Sequence, residues 1–149
     1  MFGPKKILVP TDFSEYSDQA LKQAVDIAEK YNSKIYLLHV IDEYIQQCVT
    51  EYCLPQETVD QLEKESLIKS KELMTDEVSR VSGRTPVEID FDIIKGVPYD
   101  EILKEQEKKD IDLIVIASHG KTGLKKTLLG SVADRVTEKA KSPVLLVRA

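Results

Sequence analysis

Short apolar runs alternate with segments of helical period along the whole chain, and this alternation constrains the fold more than any other feature. Ile7-Leu8-Val9 is a short buried strand stopped by Pro10. Lys34 to Ile41 and Asp112 to Ala117 are apolar on both faces, as strands are in sheets covered on both sides. Val87 to Ile94 alternates apolar and acidic residues, which predicts an edge strand with one solvated face. Pro143 to Arg148 supplies a fifth strand. Between these runs the spacing predicts helices over about Ser14–Tyr31, about Gln56–Val81, a short stretch after Pro98 containing Ile102 and Leu103, and about Leu128 or Ser131 to Lys141. The second helix is expected to bury Val59, Leu62, Leu67, Met74, Val78 and Val81. Strict β-α alternation with double-faced apolar strands implies an α/β fold. The expected architecture is a single domain over residues 1–149, an open five-stranded parallel sheet with helices on both faces, Rossmann-like in its layers.

Composition excludes several function classes. The chain has 149 residues and a net charge of −5, which disfavours broad phosphate-backbone binding to nucleic acid. Leu113–Ala117, among the longest apolar runs, falls far short of the roughly 20 residues of a membrane span. The apolar run after Lys5-Lys6 is too short for a signal-peptide core, so a cytoplasmic location is expected. Cys48 and Cys53 lie far in sequence from His39 and His119, and are read as reduced thiols rather than zinc ligands. Residues 42–56 read as an irregular, acidic, Gln-rich stretch that carries both cysteines.

In an open doubly wound sheet, ligands bind beyond the carboxyl ends of the strands where the winding direction reverses. The first and fourth strands are the expected central neighbours at that point. Their ends carry Pro10-Thr11-Asp12 and Ala117-Ser118-His119-Gly120, small or polar segments directly after apolar runs. Lys121, Lys125 and Lys126 then form the one basic stretch of an acidic chain, and Gly130-Ser131 leads into the last helix, whose first amides lack partners and attract phosphate. Two readings compete at each position. Ser131 with Asp134 fits a capping box as well as a phosphate contact, Asp12 competes with Ser14 for the first N-cap, and His119 reads as a solvated loop histidine or a catalyst. There is no Ser-His-Asp order, and Val115 stands where a Walker A motif needs glycine.

Together these residues resemble the ATP-binding branch of the universal stress protein family. The resemblance is carried by Lys6-Ile7-Leu8-Val9-Pro10-Thr11-Asp12-Phe13-Ser14, Leu37-Leu38-His39-Val40, Asp112-Leu113-Ile114-Val115, and Gly120 followed after nine residues by Gly130-Ser131. Ala117 stands where the family's nucleotide motif has its first glycine. The resemblance implies an adenine nucleotide alpha hydrolase-like fold and an adenine-nucleotide pocket holding ATP. Val40 would offer backbone groups to the adenine edge, and Pro10, Thr11 and Asp12 would line the adenosine side. Ile116, Ala117, Ser118, His119, Gly120 and Lys121 would run past the ribose and phosphates. Gly130, Ser131 and Val132 would hold the phosphates, with Mg2+ or Mn2+ bridging them and no dedicated protein metal cluster. The expected function is that of a nucleotide-binding stress-response or signalling protein rather than an enzyme, with at most slow ATP hydrolysis. A homodimer is expected through residues 143–148, an apolar terminal edge strand. The alternative is a dimeric interaction module of the same fold that binds no nucleotide. A receiver domain fits less well, because the first strand is followed by a single acid, Asp12.

Overall fold

The computed structural model describes residues 2–43, 51, 54–120 and 129–148. Among these residues the chain runs β1 (Lys6–Pro10), α1 (Glu15–Tyr31), β2 (Lys34–Asp42), α2 (Gln56–Ser82), β3 (Ile89–Gly96), α3 (Pro98–Lys108), β4 (Leu113–Ala117), α4 (Ser131–Lys139) and β5 (Val144–Val147). The strand order is β3-β2-β1-β4-β5. Every pairing is parallel. β1 and β4 are therefore neighbours at the sheet's centre, and β3 and β5 are its edges, as the patterning predicts. Cys48, Cys53, Lys121, Lys125 and Lys126 lie outside the described residues.

Local chemistry sets the boundaries. Ser14 caps α1, its hydroxyl accepting the Ser17 N–H at 3.2 Å, which settles its competition with Asp12. Asn32 ends the helix at φ 53°, in the left-handed region that asparagine tolerates. Pro98 opens α3 at a position whose N–H would have no helical partner. β3 begins two residues later than expected, at Ile89 rather than Val87. Val87 instead donates its N–H to Thr85 Oγ1 at 3.3 Å, closing the turn before the strand.

The pleat divides the core in two. Ile7, Val9, Ile35, Leu37, Leu113, Val115 and Ala117 pack beneath α1 and α2, together with Ala20, Leu21, Ala24 and Met74. Leu8, Leu38, Ile114 and Ile116 pack on the other face with Ile102, Ala133 and Val136 of α3 and α4. Two of the expected core residues of α2 are not buried: Leu62 and Leu67 are exposed. The helix buries Val59 in its first turn and Ser70, Met74 and Glu77 further on, and Leu62 and Leu67 fall in the stretch between, where none of its residues is buried.

Candidate functional site

The carboxyl ends of β1 and β4 open at the point where the chain's winding reverses, and two turns meet there. After β1, Asp12 accepts the Ser14 N–H through Oδ1 at 3.0 Å, and Phe13 between them takes φ 65°. After β4, Gly120 lies against Asp12: a Cβ built on Gly120 would stand 2.8 Å from Asp12 Oδ2. A side chain there would have to move the Asp12 carboxylate aside.

The last helix is pinned to the same place. Ser118 N–H donates to Val147 O at 2.9 Å, and Ser118 O accepts the Gly130 N–H at 2.7 Å. Gly130 is the N-cap of α4 and offers no side-chain cap. The capping-box reading of Ser131 is thereby overturned. Ser131 is the first helical residue, one position too late for its hydroxyl to cap, because the Ser118 carbonyl takes the Gly130 N–H and fixes the helix start there. The first intrahelical bond is Asp134 N–H to Gly130 O at 2.8 Å, so the N–H groups of Ser131, Val132 and Ala133 have no helical acceptor. A Cβ on Gly130 would meet Ser118 O at 3.0 Å and His119 Cα at 3.5 Å. The glycine thus lets α4 sit against the end of β4.

The remaining expected site residues divide between crevice and core. Pro10 ends β1, half-buried, in register with Leu38 of β2. Val40 of β2 is half-buried on the α3–α4 face, in the cluster that also includes Val132. Ile116 is buried in that same core. The methyl of Ala117 belongs to the core on the α1 face, so it occupies packing space rather than the crevice. Ser118 is 2% exposed, and its hydroxyl lies 2.8 Å from His119 Nδ1. His119 is not the solvated loop histidine of one sequence reading. Its Nε2 is buried with no hydrogen-bond partner among the described residues, and its ring centroid lies 6.2 Å from that of Tyr16. Lys121 lies outside the described residues.

Thr11 faces inward rather than into the crevice. Its hydroxyl lies 3.0 and 3.1 Å from the two carboxylate oxygens of Glu77 and 3.1 Å from Ser17 Oγ, and accepts the Phe13 N–H at 3.1 Å. Glu77 and His39 are participants that the sequence reading left out. His39 Nδ1 lies 2.8 Å from Thr11 O, and its ring stacks on Phe13 with centroids 4.3 Å apart. Glu77 does carry a signal in the sequence, since it falls at helical spacing within the buried stripe of Met74, Val78 and Val81. Burial pushes its carboxyl up to about 7, against the opposing pull of the Thr11 hydroxyl.

The universal stress protein family model matches residues 3–148. Universal stress protein MJ0531 of Methanocaldococcus jannaschii is 39% identical over 97% of this chain and 82% of its own. The solved structure of MJ0577, from the same organism, is 35% identical and superposes with a TM-score of 0.85 over 99% of this chain and 98% of that one. A universal stress protein from Archaeoglobus fulgidus in complex with dAMP shares the fold, with a TM-score of 0.69 at 21% identity over 99% of this chain and all of that one. With the sheet order, the paired turns at its centre and the glycine-led last helix on view, these matches give one conclusion: the chain belongs to the universal stress protein family.

Proposed function

We propose that the chain binds an adenine nucleotide, ATP, in the crevice between the ends of β1 and β4. The observation that carries this reading is the start of α4. Three adjacent N–H groups without helical acceptors stand beside the Asp12–Gly120 contact, at the topological switch point. Phosphates would sit on the amides of Ser131, Val132 and Ala133, with the ribose toward Asp12 and the adenine against Val40. The A. fulgidus relative in complex with dAMP supports the ligand class at the level of the fold. A divalent ion bridging the phosphates would be held mainly by the nucleotide. Among the described residues no group of three or more His, Cys, Asp or Glu is disposed to hold one alone.

The reading is of a binding protein of stress response or signalling, located in the cytoplasm, with hydrolysis slow at most. Asp12 and His119 are the candidates for a base or a water-positioning group. The protein would act as a homodimer through the β5 edge, where Leu145 is 38% exposed. Among the described residues no helix is long and apolar enough to cross a membrane. Isothermal titration with Mg-ATP tests the proposal: micromolar affinity, about −7 to −9 kcal/mol, is expected. Absence of heat and of any thermal shift at millimolar ATP would leave the interaction module as the function.

A further inference from the structure

On one face of the sheet, α1 and α2 are separated by a groove of about 380 Å³, lined among others by Asp18, Leu21, Val25, Arg80 and Arg84. Glu77 of α2 also lines it and is 1% exposed. Polar ties that cross the groove are Arg80 Nη1 to Asp18 Oδ2 at 3.4 Å and Thr85 Oγ1 to Glu29 Oε1 at 2.6 Å. Asp18 of α1 lines the groove as well, and its negative charge favours a proton on Glu77.

Glu77 is also joined to the crevice. Its carboxyl meets the Thr11 hydroxyl, which accepts the N–H of Phe13, the residue at φ 65° that carries Asp12 to the crevice. We propose that Glu77 is a positioning residue whose protonation state sets the Asp12–Phe13 turn and so makes occupancy of the crevice depend on pH. An ionised Glu77 can only accept. The Thr11 hydrogen is then committed to it, and the lone pairs of Thr11 Oγ1 remain for the Phe13 N–H. A protonated Glu77 can turn its own O–H on Thr11 Oγ1, so that the Thr11 hydrogen swings to Ser17 Oγ, 3.1 Å away, and the Phe13 N–H is left one lone pair of a reoriented hydroxyl. The charged or titratable groups around Glu77 are Asp18 on α1, Arg80 on α2, and His39 on β2, which reaches it through the Thr11 carbonyl. Burial raises the Glu77 carboxyl into the neutral range, where such a change occurs.

The effect on the crevice rests on the adenine-nucleotide reading, so the test has two independent arms. In the first, the full chain labelled with ¹³C and ¹⁵N is titrated from pH 4 to 9 without ligand. The Glu77 carboxyl resonance and the Phe13 amide should share one midpoint near neutrality. Glu77→Gln should abolish the Phe13 inflection, and Asp18→Asn, which removes the facing charge, should lower the Glu77 midpoint. A Glu77 midpoint below pH 5.5, or a Phe13 inflection that survives Glu77→Gln, overturns the proposal. The second arm uses adenosine, which does not titrate in this range. Its affinity should be at least threefold tighter at pH 8 than at pH 5.5 in the parent, and independent of pH in Glu77→Gln. The same pH dependence in both proteins overturns the coupling. No binding of adenosine or ATP at any pH defeats the nucleotide reading and the effect on occupancy, and leaves the first arm to decide the turn.

Discussion

Phe13 is the residue on which the crevice turns. An aromatic side chain at φ 65° carries a backbone cost of order 1–3 kcal/mol, held here by its ring against His39 and its N–H on Thr11. Replacing Phe13 by glycine removes the conformational cost together with the stacking. Gly130 makes a different demand. Valine there must push aside the Ser118 carbonyl, so Gly130→Val should lower both stability and ATP affinity, the latter at least tenfold, about 1.4 kcal/mol. Adenosine binding, which does not need the helix amides, should fall less. Ser131→Ala is the informative companion. A Ser131 cap would cost about 1 kcal/mol on removal. With Gly130 as the cap, stability should change by less than about 0.5 kcal/mol, and ATP affinity should fall less than in Gly130→Val. Urea melts paired with calorimetric titration check both variants. Loss of stability in Ser131→Ala with unchanged affinity would restore the capping box.

At the scale of elements, α2 shows what a residue pattern reveals and what it hides. Its existence, its stop near Gly83 and its buried Met74 follow from periodicity. Leu62 and Leu67 share that periodicity yet stay in solvent, because burial depends on what packs against each turn of a helix, and no helical repeat records that. β1, β2 and β4 were legible because strands covered on both faces read as unbroken apolar runs. The Asp12 turn and the Gly130 helix start were legible as a place but not as a geometry. Whether Ser131 or Gly130 caps depends on one carbonyl, Ser118 O, twelve residues upstream. Glu77 shares the helical spacing of Met74, Val78 and Val81, yet a glutamate within a charged helix reads as surface, so its position was legible and its burial was not. Its titration gives a prediction for stability. Below its ordinary value of 4.5 both folded and unfolded chains hold the proton, and the group contributes nothing. Between 4.5 and about 7 the unfolded chain loses the proton while the folded chain keeps it, so stability falls as pH rises, then levels off. Glu77→Gln should lack that fall. At pH 8 its Tm should exceed the parent's by roughly 2–8 °C, as about 1–2 kcal/mol produces in a chain of this size. Thermal melts at pH 5 and pH 8 decide it; a parent curve parallel to that of the variant would refute it.

For the whole molecule the expected outcomes concern assembly and turnover. β5 leaves one edge of the sheet unpaired among the described residues, with Leu145 in solvent. Sedimentation at micromolar concentration should give a mass near twice 16.8 kDa, and Leu145→Lys should shift the protein toward the monomer. A parent that sediments as a monomer removes the β5 interface. Phosphate release with saturating Mg-ATP should stay far below the ~10 s⁻¹ of a typical enzyme. A steady-state rate near that value would replace the binding protein with a catalyst.

The strand order has a consequence for how the chain is made. β1 is synthesised first and ends in the middle of the sheet, between β2 and β4. Its side toward β2 can close once residue 42 has left the ribosome, but its other side must wait for residue 117, the last of β4. Those 75 residues (117 − 42) take roughly 4–15 s at the usual 5–20 residues per second. For that interval the nascent chain carries an open central edge and an unsealed apolar face. Ribosome-bound chains stalled before Asp112 should therefore be cut readily by protease and held by chaperones. Chains stalled once β4 and β5 have emerged should resist both.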